Sequence, residues 1–141
     1  MPIGTTNRQI AGCGAHHIAL QTRDWDASLR LYRDVLGMQI IAEFGSPERR
    51  ILLLDIGDGS HMELFAPLPA AAAAADQSAA ANLLTHIALA TTDTRQAIEH
   101  VRQAGYTITV EPKDVQLGPI PATIAFFNGP NGETIEFFQT N

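Results

Sequence analysis

The sequence contains one cysteine, Cys13, among its 141 residues. A single cysteine excludes an intramolecular disulfide framework and is typical of a protein from a reducing compartment. We interpret Cys13 as a small residue that precedes a strand, with a nucleophile or thiol ligand as the alternative. The sequence also lacks a run of about 18 apolar residues and a continuous apolar stretch near its start. We therefore expect neither a membrane span nor a secretory signal, and a soluble, cytoplasmic protein.

Clusters of basic residues are absent as well. Lysine and arginine total 9 residues against 15 aspartates and glutamates, which gives a formal net charge of −6. A surface that binds a phosphate backbone or an anionic membrane would need a run of lysines and arginines. We expect no nucleic-acid partner and no membrane partner. The hydrophobic share of 45% and the charged share of 17% are typical of a globular domain.

A phrase of eight residues occurs twice, at 17–24 and 86–93, and the two copies differ only at its fifth and seventh positions. Each copy precedes a helix-like stretch and then strand-like segments. Each series of strand-like segments ends in Gly-x-x-x-Glu, at Gly59–Glu63 and Gly132–Glu136. The chain therefore consists of one unit written twice, with a histidine and a glutamate at matching places.

The order of predicted elements defines two tandem β-α-β-β-β modules in an α+β fold. The first module covers 14–66 and the second 84–139, within a single domain, 1–141. A segment rich in alanine and proline, 67–83, joins them. Its prolines disfavour a helix at the start, whereas six consecutive alanines favour one further on. We interpret the segment as a solvated linker, with a mobile flap over a site as the alternative.

Hydrophobic periodicity and turn residues predict the bounds of the elements. In the first module we expect strands at 15–21, 38–44, 50–56 and 61–65, and a helix over 26–36. In the second we expect strands at 85–90, 107–111, 122–128 and 134–139, and a helix over 94–104. The apolar stripe of the first helix comprises Trp25, Leu29, Tyr32 and Leu36. The buried side of the second comprises Ala97, Ile98, Val101 and Ala104.

The histidine of each phrase stands near the start of the first strand of its module. Because side chains alternate along a strand, His17 shares a face with Ala19, and its apolar neighbours lie on the opposite face. His86 shares a face with Ala88 in the same way. The apolar face can pack on a helix while the histidine looks elsewhere, and the small alanine leaves space beside it.

The last strand of each module carries a glutamate between bulky apolar residues. An ionised carboxylate in that position is costly to bury without a partner. A metal ion would relieve this cost in both modules together, since imidazole and carboxylate are common metal ligands. The alternative is that duplication preserved a structural histidine and glutamate in both copies. The candidate metal ligands are His17, Glu63, His86 and Glu136.

Four motifs, beginning with the first phrase, occur along the chain. They are His17-Ile-Ala-Leu, Leu31-Tyr-Arg-Asp-Val-Leu-Gly-Met38, Met62-Glu-Leu-Phe65 and Gly129-Pro-Asn-Gly-Glu-Thr-Ile-Glu-Phe137. They resemble the vicinal oxygen chelate superfamily, which includes glyoxalase I, methylmalonyl-CoA epimerase, extradiol dioxygenases and bleomycin- or fosfomycin-resistance proteins. The resemblance extends over nearly the whole chain. It implies paired modules whose sheets curve around a metal-holding cleft.

The resemblance implies a glyoxalase I type of site, because the four candidate ligands stand at the four ligand places of that enzyme. Antibiotic-binding members commonly lack these ligands, extradiol dioxygenases use two histidines and one glutamate, and epimerases usually have glutamine where Glu63 stands. A divalent metal ion (Ni, Co, Zn, Fe or Mn) would polarise vicinal oxygens of a small-molecule substrate. Glu136, or alternatively Glu63, would move a proton between adjacent carbons. A homodimer is also implied, and the ligands could come from one chain or from two.

Two positions depart from the bacterial glutathione-dependent members. Gln21 stands where those members commonly have an arginine, and Pro67 stands where they commonly have an asparagine. Both family side chains help to hold the peptide part of the thiol substrate, so their loss disfavours glutathione.

Three hypotheses for the function remain. The first is a metal-dependent lyase or isomerase of the glyoxalase type that acts on a small oxygenated substrate or its thiol adduct. The second is an acyl-CoA epimerase or a ring-cleaving dioxygenase. The third is a non-catalytic protein that binds a small molecule such as an antibiotic. The other histidines, His16, His61 and His100, lack a counterpart in the other copy. We interpret His16 as structural or surface and His100 as solvated.

Overall fold

The computed structural model describes residues 6, 9, 15–69, 86–117 and 119–141. Cys13 and most of the predicted linker lie outside the described residues. The chain divides into two compact units, Met1–Ala74 and Ala75–Asn141. Within the described part of the chain, no helix is long and apolar enough to cross a membrane.

The described residues of the first unit form a four-stranded mixed sheet and one helical segment. In chain order its elements are strand β1 (His17–Gln21), helix α1 (Trp25–Leu29), a π-helical segment (Arg30–Val35), and strands β2 (Gln39–Ser46), β3 (Arg49–Asp55) and β4 (His61–Phe65). The strand order across the sheet is β1-β4-β3-β2. β1 runs parallel to β4, and the other neighbouring strands are antiparallel.

The second unit repeats this arrangement. Its elements are strand β5 (Ile87–Ala90), helix α2 (Thr94–Gln103), and strands β6 (Ile108–Leu117), β7 (Ile120–Asn128) and β8 (Thr134–Thr140). The strand order is β5-β8-β7-β6, with β5 parallel to β8. The predicted fold class, two tandem β-α-β-β-β repeats, is confirmed.

The aspartate that ends each repeated phrase begins the helix that follows. The Asp24 carboxylate accepts a hydrogen bond from the backbone N–H of Ala27 at 3.0 Å. Asp93 accepts one from the backbone N–H of Gln96 at 2.9 Å. Both aspartates have extended backbone and occupy the position before the first helical residue, where a side-chain oxygen satisfies a free N–H of the first turn.

The buried face of the first helical segment differs from the prediction. From Arg30 the segment continues as a π-helix, and the backbone N–H of Leu36 donates to the oxygen of Leu31, five residues earlier, at 2.8 Å. A π-helical turn holds more residues than an α-helical turn, so the face that meets the sheet shifts along the sequence. The fully buried side chains are Ser28, Leu31 and Tyr32, whereas Trp25, Leu29 and Leu36 are half-buried.

Strand β6 is much longer than predicted. Turn chemistry and Pro112 favour an end near residue 111, but the strand continues to Leu117. β6 has one neighbour, β7, and its pairing shifts register between Val110 and Lys113. A proline is tolerated at an edge strand with such an irregularity because no central ladder hydrogen bond is lost.

In the second unit the sheet packs against α2, and in both units one set of apolar side chains forms a buried core. The apolar side chains that are at most 2% exposed in the first unit are Leu31, Tyr32, Leu52, Leu54, Met62 and Leu64. Those of the second unit are Ile98, Val101, Ala122, Ala125, Phe127 and Ile135. Because side chains alternate along β4 and β8, the glutamates between these apolar residues lie on the opposite face of each sheet.

Candidate metal-binding site

In the first unit, His17 and Glu63 form a pair across two parallel strands. The imidazole Nε2 lies 3.0 Å from the carboxylate Oε2. β1 and β4 pair in the register that sets Ala19 opposite Glu63. His17, two residues before Ala19, therefore lies diagonally from Glu63 on the same face and within reach of it.

In the second unit, His86 and Glu136 form a pair of the same geometry. The distance from the histidine Nε2 to the glutamate Oε2 is again 3.0 Å. β5 and β8 set Ala88 opposite Glu136, so the alanine of the repeated phrase occupies the same place as Ala19 in the first unit. An alanine there has no side chain beyond Cβ, which leaves the diagonal open for the imidazole.

On the other side of each glutamate, the two pairs have different neighbours. Leu53 of β3 lies opposite Glu63, and Phe126 of β7 lies opposite Glu136. The Phe126 ring meets the His86 ring edge to face, with 5.5 Å between the centroids. This aromatic contact restricts the orientation of the His86 imidazole.

Glu136 is buried and Glu63 is largely buried, whereas the two imidazoles are exposed. The Glu63 and Glu136 side chains are 13% and 8% exposed, whereas those of His17 and His86 are 42% and 38% exposed. A carboxylate at this depth needs a charged or hydrogen-bonding partner, and the histidine provides one. The open imidazole gives the pair access to a further ligand.

The spacing within each pair fits shared metal coordination as well as a hydrogen bond. Two donor atoms that each lie about 2.1 Å from one ion, at right angles, are about 3 Å apart. The Nε2 and Oε2 atoms of both pairs have this separation. In neither unit do the described residues bring together a group of three or more histidine, cysteine, aspartate or glutamate side chains suited to a metal. Each unit thus offers two of the four predicted ligands.

His16 was predicted to have a structural or surface role, but it contacts His17 of the first histidine–glutamate pair. Its Nδ1 is 2.9 Å from the Nδ1 of His17. Strict alternation along a strand would turn His16 away from His17, but His16 precedes β1 and is outside the regular ladder. The consecutive histidines are the sequence signal that could have indicated the contact. His100, on α2, is exposed as expected.

The repeated fold and its repeated histidine–glutamate pair agree with the comparison to known families. The family model of the Glyoxalase/Bleomycin resistance protein/Dioxygenase superfamily matches residues 14–137, and the chain belongs to this superfamily.

The chain is similar in sequence to proteins named lactoylglutathione lyases, and similar in fold to an antibiotic binding protein. The chain is 32% identical over 128 residues to a lactoylglutathione lyase of Haemophilus influenzae, covering 87% of this chain and 90% of the relative. It is 29% identical over 125 residues to a probable lactoylglutathione lyase of Synechocystis sp., covering 89% and 94%. The fold is also similar to that of TnmS3, an antibiotic binding protein from Streptomyces sp. CB03234, with a TM-score of 0.69, 17% identity, and coverage of 96% and 100%.

Proposed function

We propose that the protein is a metal-dependent lyase or isomerase of the glyoxalase I type. In this proposal His17, Glu63, His86 and Glu136 bind one divalent metal ion. The observation that carries it is the recurrence of one histidine–glutamate pair, at the same strand positions and the same 3.0 Å spacing, in both units. The two curated relatives named as lactoylglutathione lyases support an enzyme of this type. Imidazole with carboxylate suits Ni, Co, Zn, Fe or Mn.

The bound metal would supply Lewis-acid polarisation of two neighbouring oxygens of a small-molecule substrate. The chain itself would supply the proton transfer. A glutamate oxygen takes the proton from the carbon next to a carbonyl and returns it to the adjacent carbon. In the metal-free protein the paired histidine keeps that carboxylate in place, since its Nε2 and the carboxylate Oε2 are within hydrogen-bond distance. In the loaded protein the shared ion would hold both groups.

Of the two glutamates, we propose Glu136 as the base. Its side chain is the less exposed of the two, and Phe126 lies opposite it in the sheet. Because less water reaches a carboxylate that is shielded on one side, solvent competes less with it for the substrate proton. Glu63 would then act as the purely binding member of the set.

Elemental analysis tests the ligand assignment. Purified protein reconstituted with Ni²⁺, Co²⁺ or Zn²⁺ should retain one ion per set of four ligands after desalting. His86→Ala and Glu63→Gln should each lower the retained metal strongly. His100→Ala is the matched control, because that histidine is exposed on α2. Metal content in His86→Ala equal to that of the unaltered protein would refute the assignment.

The mass of the assembly in solution tests the homodimer that we propose. The ion count is one per chain whether a ligand set is completed within one chain or by a second copy, so complementation between variants has to distinguish the two. Mixing His17→Ala chains with His86→Ala chains extends the test. Recovery of metal binding in the mixture requires that ligands come from both chains.

Binding without catalysis is the second candidate, and the similarity in fold to TnmS3 favours it. A binding protein of this kind would carry no stoichiometric metal and would lose no stability with a chelator. Two imidazoles and two carboxylates fill all four ligand positions, and this argues for the enzyme.

The single cysteine leads us to propose, in addition, a reducing cytoplasmic location.

A further inference from the structure

The two adjacent histidines at the start of β1 share a hydrogen bond through their rings. The Nδ1 atoms of His16 and His17 are 2.9 Å apart, and the rings meet edge to face with 5.1 Å between centroids. Two imidazole nitrogens at this distance hold one proton between them, because two lone pairs or two protons would repel. One ring therefore donates and the other accepts.

The direction of this hydrogen bond matters for the metal proposed above. The other nitrogen of His17, Nε2, faces Glu63. Nε2 binds a metal only through its lone pair, so a neutral His17 that is a ligand carries its proton on Nδ1. That proton then points at the Nδ1 of His16, which accepts it. The His16 ring in turn carries its own proton on Nε2.

His16 is itself held in place by His61. The backbone oxygen of His16 accepts a hydrogen bond from the backbone N–H of His61 at 2.9 Å. The Nδ1 of His61 lies 3.1 Å from the same oxygen, and since a carbonyl only accepts, this nitrogen carries the proton. The His61 side chain is buried, and its ring lies 5.3 Å from that of His16. The His16 ring is thus confined between His17 and His61.

We infer that His16 is a positioning residue, which accepts the Nδ1 proton of His17 and thereby holds His17 in the tautomer and orientation needed for metal binding. This inference rests on the proposed function and concerns the pair in the first unit. Threonine stands at the matching sequence position before His86, at Thr85, which lies outside the described residues. The second pair instead has the Phe126 ring against its histidine.

Metal affinity in three variants of His16 tests the inference. His16→Phe keeps an aromatic ring but removes the acceptor, and should weaken Zn²⁺ affinity about tenfold, the lower end of the loss usual for an outer partner of a metal-ligating histidine. His16→Ala should weaken it at least as much. His16→Asn should restore most of the affinity, because its Oδ1 lies where the Nδ1 of histidine was. Affinity is measured by competition with a chelator of known strength.

A spectrum of the imidazole nitrogens gives a second readout. In ¹⁵N-labelled protein loaded with Zn²⁺, His17 should show the proton on Nδ1, and His16→Phe should alter this signal while the signals of His86 stay unchanged. The thermal midpoint of each variant should stay close to that of the unaltered protein, because His16 is exposed.

The outcomes separate the two proposals. If the unaltered protein binds Zn²⁺ and His17→Ala does not, but His16→Phe binds as tightly as the unaltered protein, the positioning role is wrong and the ligand assignment stands. If His16→Asn is as weak as His16→Ala, the acceptor argument is wrong. If the unaltered protein does not bind Zn²⁺, Ni²⁺ or Co²⁺ at all, both proposals are wrong.

Discussion

The side-chain amide of Gln21 donates a hydrogen bond to the backbone oxygen of Ala66 at 2.7 Å. It also lies 3.3 Å from the backbone oxygen of Thr22. The donor groups of this amide are therefore engaged by the chain's own backbone just after β1 and β4. Pro67, which follows Ala66 in the chain, has neither a backbone N–H nor a polar side chain that could bind a ligand.

Gln21 and Pro67 predict that a glutathione adduct is a poor substrate for the protein. The unaltered protein should turn over the methylglyoxal–glutathione hemithioacetal poorly and without saturation at micromolar concentrations. The double variant Gln21→Arg with Pro67→Asn should lower KM about tenfold, because a charge-assisted hydrogen bond to a carboxylate contributes about 1.5 kcal/mol or more. Steady-state rates measured with the Ni²⁺-loaded enzyme check this. Gln21→Ala is the control, and saturation of the unaltered protein at micromolar substrate would contradict the prediction.

The two glutamates should differ in their kinetic effects. Glu136→Gln should lower kcat by about 10²-fold or more, the usual contribution of a positioned general base. Glu63→Gln should chiefly weaken metal binding, so its activity should recover in part when the metal concentration is raised. The hemithioacetals of methylglyoxal with small thiols are suitable substrates for this assay. Equal losses of kcat at saturating metal would show that the two carboxylates share the proton transfer.

The faces of the strands could be predicted from the sequence, because a sheet with one buried face imposes strict alternation of side chains. That rule places Glu63 and Glu136 opposite the core in both units. It does not apply to His16, which precedes the ladder and reaches the neighbouring ring. Nor does it anticipate the continuation of β6 past Pro112, since the tolerance for proline depends on β6 being an edge strand.

The buried face was predicted correctly for α2 but not for the first helical segment. Ile98 and Val101 of α2 are buried as the α-helical period requires. In the first unit the π-helical segment changes the period itself, and hydrophobic spacing alone contains no signal for a hydrogen bond that spans five residues. The roles of the four candidate ligands depend on a metal and stay predictions.

A larger residue in place of the alanine beside a histidine–glutamate pair should prevent that pair from binding a metal. Ala88→Leu places three more carbon atoms opposite Glu136, on the diagonal that His86 occupies. We expect metal retention to fall at least tenfold, with a change in unfolding free energy within about 0.5 kcal/mol, because Ala88 is exposed. Ala90→Leu, two residues further along the same face, is the matched control. A similar loss in both variants would indicate general damage to β5.

The turn between β3 and β4 should give a small, pH-dependent contribution to stability. The Asp58 carboxylate accepts hydrogen bonds from the hydroxyl and the backbone N–H of Ser60, and these lower the pKa of Asp58 from its ordinary value. A carboxyl whose pKa is lowered on folding stabilises the fold above its unfolded pKa. This contribution is lost as the pH falls through the folded pKa.

Asp58→Ala should therefore lower the unfolding free energy by about 0.5 kcal/mol near neutral pH, a small value because the group is mostly exposed to solvent. The difference from the unaltered protein should vanish at acid pH, below the folded pKa of Asp58. Denaturant unfolding at both pH values measures it. Ser60→Ala removes the hydroxyl bond and keeps the backbone N–H bond, so it should show a smaller change with the same dependence on pH. A difference that persists in acid would assign the effect to backbone conformation instead.

Metal removal should destabilise the fold by mass action. A ligand present at about 100 times its Kd stabilises the native state by about 2.7 kcal/mol, so a chelator should lower the Tm of the Zn²⁺-loaded protein by several degrees. The double variant His17→Ala with His86→Ala should show no such shift, because it lacks both imidazole ligands. His100→Ala should behave as the unaltered protein. An equal chelator-induced shift in the double variant would mean that the metal binds elsewhere, since neither repeated pair would then have a nitrogen donor.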